Sequence, residues 1–261
     1  MSTRAEQYAA EVVSREQLSP HLVRIVVSAP DFRGTGVPDE WVGLIVPGQF
    51  QSRYYTVRAH AGGLLTLDIV VHETGLVTEW AGRESIVGET ITITAPKGSY
   101  TEPEGAGWVL LVGDLTALPA MARIAETSTL PVRVWAEVPD DTRDVARERY
   151  LPGVEVTWLP APEEGGSALA AAVETIDWPG GDGYFWMAGE SSQMRAIRKH
   201  LMRERRLPAS AYDVMGYWRG GAVRQPRAVD PGPVWRAGKA AGKSDEQIWA
   251  DYDQAVQEAQ Q

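Results

Sequence analysis

The segment Arg53-Tyr54-Tyr55-Thr56 combines a guanidinium group, two aromatic rings and a hydroxyl group on a predicted β-strand. Arginine binds phosphates and carboxylates through its planar fork, and aromatic faces stack on flat ligands. Side chains alternate along a strand, so Arg53 and Tyr55 share one face and Tyr54 and Thr56 share the other. The segment suits a flat ligand with a charged tail. Taken alone, an exposed strand without a ligand is the simpler interpretation.

A second segment, Gly75-Leu-Val-Thr78, lies about twenty residues further along the chain. It combines a glycine with a hydroxyl group at the start of a helix that we predict over residues 77–81. Backbone N–H groups at a helix start, together with such a hydroxyl, form a cradle for phosphate. The order of the two segments strengthens the interpretation of each.

A third segment, Gly113-Asp-Leu-Thr-Ala-Leu-Pro119, joins a predicted buried strand to a predicted helix. Open α/β sheets bind dinucleotides at this kind of turn. Gly113 allows a ligand to approach the backbone, and the helix start is expected to offer free N–H groups and partial positive charge to a pyrophosphate. The segment lacks the G-x-G-x-x-G pattern, so an ordinary strand-to-helix turn remains the alternative.

Other chemistries are excluded by composition. The chain has no cysteine, which excludes disulfides, thiolate metal sites and thiol nucleophiles. Its four histidines share no ligand-like spacing, so we predict no metal site. A net charge of −10 argues against nucleic acid as a partner. No apolar run approaches the roughly 18 residues of a membrane span, and the first residues lack the apolar core of a signal peptide. We therefore expect a cytoplasmic protein without stable membrane insertion.

The elements that position these segments divide the chain into two patterns. Residues 1–103 contain short runs rich in β-branched and aromatic residues, separated by glycine and proline. They predict an antiparallel barrel of about six strands, with strands at 22–27, 50–57, 64–71 and 90–94. Residues 104–222 alternate strands and helices, which predicts a parallel sheet. Its predicted strands are 108–112, 131–138, 154–159, 184–187 and 212–218, and its predicted helices are 119–127, 141–150, 167–176 and 191–206.

The remaining residues, 223–261, form a third predicted region. A basic stretch from Arg219 to Lys243 carries six basic residues and one acid, and residues 244–261 carry five acids and no base. The acidic part has the pattern of an amphipathic helix. We interpret the region as a basic loop followed by a helix.

Five motifs, in this order, resemble those of the siderophore-interacting protein family of ferric-siderophore reductases, within the ferredoxin–NADP reductase superfamily. They span residues 8–221 with their surroundings and read Arg53-Tyr-Tyr-Thr-Val-Arg58, Leu67-Asp-Ile-Val-Val-His72, Gly113-Asp-Leu-Thr-Ala-Leu-Pro-Ala120, Trp186-Met-Ala-Gly-Glu190 and Tyr217-Trp-Arg-x-Gly221. The resemblance implies a flavin-binding barrel followed by a nicotinamide-binding α/β domain, with FAD lying between them.

The resemblance also implies a role for individual residues. Arg53, Tyr54, Tyr55 and Thr56 would bind the flavin ring and its ribityl phosphate. Three groups complete the predicted cofactor site: Asp68, Val70 and His72 near the adenine half; Gly75, Val77 and Thr78 around the pyrophosphate; and Gly113, Asp114, Thr116, Gly189 and Glu190 around the nicotinamide nucleotide. The family usually has Gly-Asp-Glu-Thr where this chain has Gly113-Asp-Leu-Thr116, and Gly-Pro-Ala-Ser where it has Gly75-Leu-Val-Thr78.

The implied function is the reduction of ferric iron held by a siderophore, with NADH or NADPH as the donor and FAD as the mediator. No protein acid, base or nucleophile is needed, so we predict no catalytic residue. We expect a monomer that binds the anionic siderophore through the basic residues Arg219, Arg224, Arg227, Arg236, Lys239 and Lys243. A general flavin reductase (diaphorase) on the same fold, and a module that binds FAD or siderophore without turnover, are the alternatives.

The choice between NADH and NADPH stays open. Glu137 ends the second predicted strand of the sheet, where an acid favours a free ribose hydroxyl. Arg143, Arg147 and Arg149 follow closely and would instead suit a 2′-phosphate.

Overall fold

The computed structural model describes residues 6–49, 51–71, 75–162 and 166–220, and the single positions 237, 241, 243, 247 and 251. The chain divides into two units, Met1–Gly220 and Gly221–Gln261. In the second unit Lys243 Nζ lies 2.7 Å from Asp251 Oδ2. None of the described helices is long and apolar enough to cross a membrane.

The first unit begins with a closed antiparallel barrel, as predicted. Its strand order is β1-β2-β5-β4-β3-β6, and pairing of β1 with β6 closes it. Alternate side chains of these strands fill one apolar core, in which Ile25, Leu44 and Leu67 have no exposed surface. The strands are β1 (Gln7–Ser19), β2 (Leu22–Ser28), β3 (Trp41–Ile45), β4 (Arg53–Ala61), β5 (Leu64–Val70) and β6 (Thr90–Thr94). The short helix α1 (Leu76–Ala81) follows β5.

A five-stranded parallel sheet in the order β11-β10-β7-β8-β9 follows the barrel, also as predicted. Its central strands β7 and β10 are buried along their whole length, as both faces of a parallel sheet require. The elements are β7 (Val109–Asp114), α2 (Leu118–Thr127), β8 (Val132–Glu137), α3 (Arg143–Arg149), β9 (Glu155–Leu159), α4 (Leu169–Thr175), β10 (Tyr184–Glu190), α5 (Met194–Lys199) and β11 (Tyr212–Trp218). Short 3₁₀ turns cover Asp140–Thr142 and Ala209–Ala211.

The parallel arrangement places the carboxyl ends of four strands along one edge of the sheet. Asp114 ends β7, Glu137 ends β8, Glu190 ends β10 and Trp218 ends β11. Asp114 and Glu137 are paired in register, as are Glu190 and Trp218. This edge, called the carboxyl edge below, is where open α/β sheets bind ligands.

The predicted helix over residues 191–206 is wrong in its extent. Regular α-helix ends at Lys199 and continues as a wider π turn over His200–Glu204. Ile197 and Leu201 are both buried without exposed surface, as the predicted apolar stripe requires. The π turn keeps Leu201 in the core, and the Arg205 N–H donates to the His200 carbonyl five residues earlier, as a π turn requires.

Candidate functional site

Strand β4 presents the first predicted segment. Arg53 is exposed, Tyr54 is 62% exposed, and Thr56 is buried. Tyr55 is half-buried against the barrel core, and this burial raises its pKa to about 12, although Arg53 nearby lowers it. Thr56 pairs in register with Trp41 of β3. The strand therefore offers an exposed ring and an exposed guanidinium beside a covered hydroxyl.

The Thr56 hydroxyl lies where the barrel meets the sheet, close to the Tyr217 hydroxyl of β11. Burial raises the pKa of Tyr217, the charge of Asp39 raises it further, and the Thr56 hydroxyl lowers it. Within the part of the chain that the structure describes, neither hydroxyl makes a hydrogen bond of normal geometry, although both oxygens are buried. The two buried hydroxyls lie close enough to interact with each other, so their burial does not by itself require a ligand.

The start of α1 keeps the backbone geometry expected of the second segment. Gly75 is exposed and has φ +146°, which a side chain would disfavour. No side chain among the described residues caps this helix. Val77 and Thr78 are buried, with Val77 in the barrel core, so a phosphate here would meet backbone and not the valine side chain. His72 lies outside the described residues.

Asp68 of β5 makes polar contacts with both the barrel and the sheet. Its carboxylate has no exposed surface and binds the Arg24 guanidinium of β2 through two hydrogen bonds of 2.8 and 2.9 Å. The Tyr150 hydroxyl donates to the same carboxylate at 2.6 Å. Val70 is also engaged, because it packs against the core of the sheet. These contacts join the barrel to the sheet and bury the Asp68 carboxylate, and whether Asp68 and Val70 lie near the adenine stays a prediction.

The turn after β7 corrects a second expectation. The N–H of Thr116 donates to Asp114 Oδ1 at 2.9 Å, and the Thr116 hydroxyl donates to the same oxygen at 2.5 Å. Ala117 N–H donates to the Asp114 carbonyl and Leu118 N–H to the Leu115 carbonyl, while Pro119 has no N–H. The start of α2 therefore does not offer the free N–H groups that we expected for a pyrophosphate, because the Asp114 side chain and the turn itself already use them.

Gly113 is closely packed against other parts of the protein. A Cβ atom at this position would lie 2.6 Å from Ala117 Cβ and 2.9 Å from the Ala188 carbonyl oxygen. The missing side chain is therefore required for packing of the turn against β10. Whether Gly113, Asp114 and Thr116 contact a nucleotide stays a prediction.

Glu190, the last predicted residue of the nicotinamide side, is buried at the end of β10. It accepts hydrogen bonds from Gly220 N–H at 3.0 Å and from Ser192 N–H at 2.7 Å, and the Ser192 hydroxyl also donates to it. Burial raises its pKa, but these donors outweigh burial and hold the pKa below its ordinary value. Glu190 thus fixes the chain just beyond β11.

Two residues of the carboxyl edge were missing from the predicted site. Tyr217 carries the buried hydroxyl close to Thr56, and Trp218 Nε1 donates to Asp114 Oδ2 at 2.6 Å. Both belong to the Tyr217-Trp-Arg motif, which is the sequence signal that could have identified them. Burial raises the pKa of Asp114, opposed by its donors Thr116 and Trp218.

The residues that bear on the choice between NADH and NADPH already make hydrogen bonds or ion pairs within the protein. Glu137 is buried and accepts a hydrogen bond from Ala168 N–H at 2.7 Å. Burial raises its pKa. Arg143 donates to the Leu159 carbonyl at 3.1 Å, and Arg149 pairs with Glu16 at 2.8 Å. Arg147 pairs with Asp144 and stays largely exposed.

Of the predicted siderophore-binding residues, Arg219 is exposed at the end of the first unit. Lys243 is exposed and paired with Asp251. Arg224, Arg227, Arg236 and Lys239 lie outside the described residues. Among the described residues no group of three potential metal ligands is found.

Comparison with known proteins gives consistent results. The family model described as siderophore-interacting protein matches residues 106–221. An uncharacterised protein of Mycobacterium tuberculosis is 30% identical over 84% of this chain and 92% of its own length. The NADPH-dependent ferric-chelate reductase of Escherichia coli is 29% identical over 57% of this chain and 60% of its own length. The mycobactin import ATP-binding/permease protein IrtA of Mycolicibacterium smegmatis is 28% identical over 83% of this chain, which spans only 26% of that relative.

Solved structures agree on the fold and the family. A siderophore utilization protein from T. fusca superposes with a TM-score of 0.71 at 28% identity, covering 86% of this chain and 97% of that one. The ferredoxin reductase of carbazole 1,9a-dioxygenase shares the fold alone, with a TM-score of 0.65 at 17% identity, covering 84% and 71%. The barrel, the parallel sheet and these matches together show that the chain belongs to the siderophore-interacting protein family.

Proposed function

We propose that this chain is an FAD-dependent reductase of ferric siderophores that takes its electrons from NADH or NADPH. The observation that carries the proposal is the exposed ring of Tyr54 beside the exposed guanidinium of Arg53 on strand β4, within the motif Arg53-Tyr54-Tyr55-Thr56. Family membership supports it, as does the name of the E. coli relative, a ferric-chelate reductase that uses NADPH. The reaction would take place in the cytoplasm.

The chain's own residues would bind and orient the cofactor. Thr56 would hydrogen-bond the polar edge of the flavin ring, the exposed ring of Tyr54 would cover part of its face, and Arg53 would bind the phosphate. Gly75 would bring the start of α1 close to the pyrophosphate. When bound, FAD would supply the conversion of a two-electron donor into single-electron steps to iron. The nucleotide would bind within 104–222, at the carboxyl edge.

The substrate would be ferric iron in a chelate of hard oxygen ligands. Such ligands hold Fe(III) far better than the softer Fe(II), so gain of one electron loosens the metal. The exposed Arg219, which immediately follows β11, would attract an anionic chelate toward the carboxyl edge. The remaining basic residues of the stretch 219–243 would serve the same purpose.

The first test is the visible absorption spectrum of the purified chain, loaded with FAD and then treated anaerobically with NADH or NADPH. We expect a flavin spectrum that bleaches with at least one donor. Addition of a ferric siderophore should restore the oxidised spectrum and yield Fe(II), detected with a ferrous chelator. A colourless chain that cannot be loaded with FAD would overturn the proposal. If artificial acceptors but not ferric siderophores restore the oxidised spectrum, the chain is a general flavin reductase. If FAD binds but neither nucleotide bleaches it, the chain is a binding module without turnover.

A matched pair of variants tests the Thr56 assignment. Thr56→Val keeps the shape of the side chain and removes the hydroxyl, so FAD should bind about tenfold more weakly, as the loss of one hydrogen bond predicts. Thr66→Val makes the same change on the neighbouring strand β5, away from the predicted flavin segment, and should leave FAD affinity unchanged. Titration of flavin fluorescence measures both constants.

A further inference from the structure

Strand β4 contacts helix α2 through the two residues that directly follow the predicted flavin segment. The Arg123 guanidinium of α2 donates to the Val57 carbonyl at 2.8 Å. The next residue, Arg58, holds Glu126 of α2 through two hydrogen bonds of 3.0 and 2.5 Å. The residue that precedes both contacts is Thr56. One strand therefore carries the predicted flavin residues and, directly after them, the attachment to the sheet.

Tyr150, at the end of α3, extends this attachment to two further strands of the barrel. The guanidinium carbons of Arg58 and Arg24 both lie 5.6 Å from the centre of its ring. Its hydroxyl donates to Asp68 of β5, which Arg24 of β2 also binds. Contacts between a guanidinium and an aromatic face are attractive, and more so where water is excluded.

The attachment is shielded from solvent except at Glu126. The side chain of Arg58 is 13% exposed, and Tyr150 and the Asp68 carboxylate have no exposed surface, whereas Glu126 is 46% exposed. Exposed ion pairs contribute little to stability because water and salt screen them. Removal of one partner from a shielded pair is, in contrast, strongly destabilising. The pair of Arg149 with Glu16, which also joins sheet and barrel, is half exposed on both sides and belongs to the weak class.

Helix α2 transmits the position of β4 to the turn after β7. It is a regular helix of ten residues that starts directly after the turn at Gly113–Ala117. Arg123 and Glu126 lie in its second half, and its first half is buried against the sheet. A helix of this length is a rod of about 15 Å. A shift of β4 against Arg123 and Glu126 therefore changes the separation between Thr56 and that turn.

We propose that Arg58 is a positioning residue, which acts through Glu126 and Tyr150 to fix the separation between the flavin segment of β4 and the nucleotide side of the carboxyl edge. This inference rests on the proposed function and extends it. Transfer of a hydride requires the reacting atoms to lie about 3–3.5 Å apart, so a small change in that separation has a large effect on rate. The contacts of Arg58 are to Glu126, the Arg149 carbonyl and the Tyr150 ring.

The experiment compares Arg58→Gln with Arg133→Gln, using stopped-flow flavin reduction at saturating nucleotide and titration of FAD. Arg133 pairs with Glu155 on the exposed face of β8 and β9, and its variant makes the same change in charge. We expect Arg58→Gln to slow flavin reduction at least tenfold with FAD affinity changed less than twofold. Arg133→Gln should alter neither quantity. Glu126→Gln should reproduce the effect from the other end of the pair, and the exchanged pair Arg58→Glu with Glu126→Arg should recover most of the rate.

A second readout uses the chain before FAD is added. Amide hydrogen exchange of residues 118–127 should become at least fivefold faster in Arg58→Gln and stay unchanged in Arg133→Gln. An unchanged reduction rate in Arg58→Gln, or loss of FAD affinity in parallel with rate, would overturn the inference. If the unaltered chain is not reduced by either nucleotide, the proposed function fails, and the exchange measurement then decides about the attachment: equal exchange in the two variants overturns it, and faster exchange confined to Arg58→Gln supports it.

Discussion

Trp218 and Asp114 are hydrogen-bonded across an intervening strand: the indole Nε1 of β11 donates to the carboxylate of β7 at 2.6 Å, and β10 lies between them. Gly189 of β10 makes this possible, because a Cβ atom there would lie 2.6 Å from Asp114 Oδ2. The carboxyl edge is thus stabilised by the hydrogen bond between the Trp218 indole and the Asp114 carboxylate, for which Gly189 leaves room. Sequence spacing alone does not reveal such a combination.

Gly189→Ala should therefore destabilise the chain by about 1–3 kcal/mol, the usual cost of forcing an atom into packed space. Asp114 cannot yield easily, since Thr116 and Trp218 hold both of its oxygens. Urea unfolding measures the effect. Gly107→Ala is the control, because its added Cβ would meet only the Asp182 carbonyl oxygen at an ordinary 3.5 Å. Equal loss of stability in the two variants would contradict the explanation.

Trp218→Phe tests the hydrogen bond itself through its pH dependence. Burial already raises the pKa of Asp114, and loss of the indole donor should raise it further. The variant should lose about 1.5–3 kcal/mol at a pH where the Asp114 carboxylate is ionised. As the pH falls through the pKa of Asp114, the carboxyl group becomes neutral and its hydrogen bond with the indole weakens. The difference in unfolding free energy between the variant and the unaltered chain should therefore shrink.

Urea unfolding at several pH values measures this difference. Trp158→Phe is the matched control, since Trp158 is half-buried and meets Arg147 at 5.8 Å without a carboxylate partner. A loss of stability in Trp218→Phe that does not depend on pH would show that the indole contributes packing alone.

Asp68→Asn should cost about 3–5 kcal/mol, because it leaves the Arg24 guanidinium half-buried without its counter-charge. Tyr150 would also lose its best acceptor. Asp144→Asn removes a carboxylate that is 89% exposed and lies 3.4 Å from Arg147, and should change stability by less than about 1 kcal/mol. Thermal or urea unfolding compares the two. Similar values for both variants would mean that Asp68 does not join barrel and sheet as described.

The sequence predicts those parts of the fold whose signals are local. Strands β6 and β11 coincide with their predicted bounds, because short runs of β-branched and aromatic residues mark them. Strands β1 and β3 were not predicted. β1 is mostly exposed and mixes polar with apolar residues, so its hydrophobic pattern is weak, and its place depends on pairing with β2 and β6. β3 contains Gly43, whose missing Cβ makes room for Ser52 and Thr94 of other segments.

The site follows the same division. The motif Arg53-Tyr54-Tyr55-Thr56 is local and was found, whereas the use of Asp114 by its own turn and by Trp218 depends on contacts 2 and 104 residues away. Asp68 shows the limit most clearly, because only the fold brings Tyr150, 82 residues later, to its carboxylate.

Tyr55 gives a last prediction, at alkaline pH. Burial raises its pKa from 10 to about 12, so the folded chain favours the neutral ring. The stability that this supplies is fully present below pH 10 and is lost as the pH rises toward 12. Tyr55 should contribute at most about 1.4 kcal/mol per pH unit in that interval. Tyr55→Phe removes the titrating group, so its stability should fall less steeply than that of the unaltered chain between pH 10 and 12, as measured by urea unfolding.

Tyr54→Phe is the control, since Tyr54 is 62% exposed and its change should leave the slope as it was. Parallel curves for the unaltered chain and Tyr55→Phe would show that the ring of Tyr55 is open to water in the absence of a ligand.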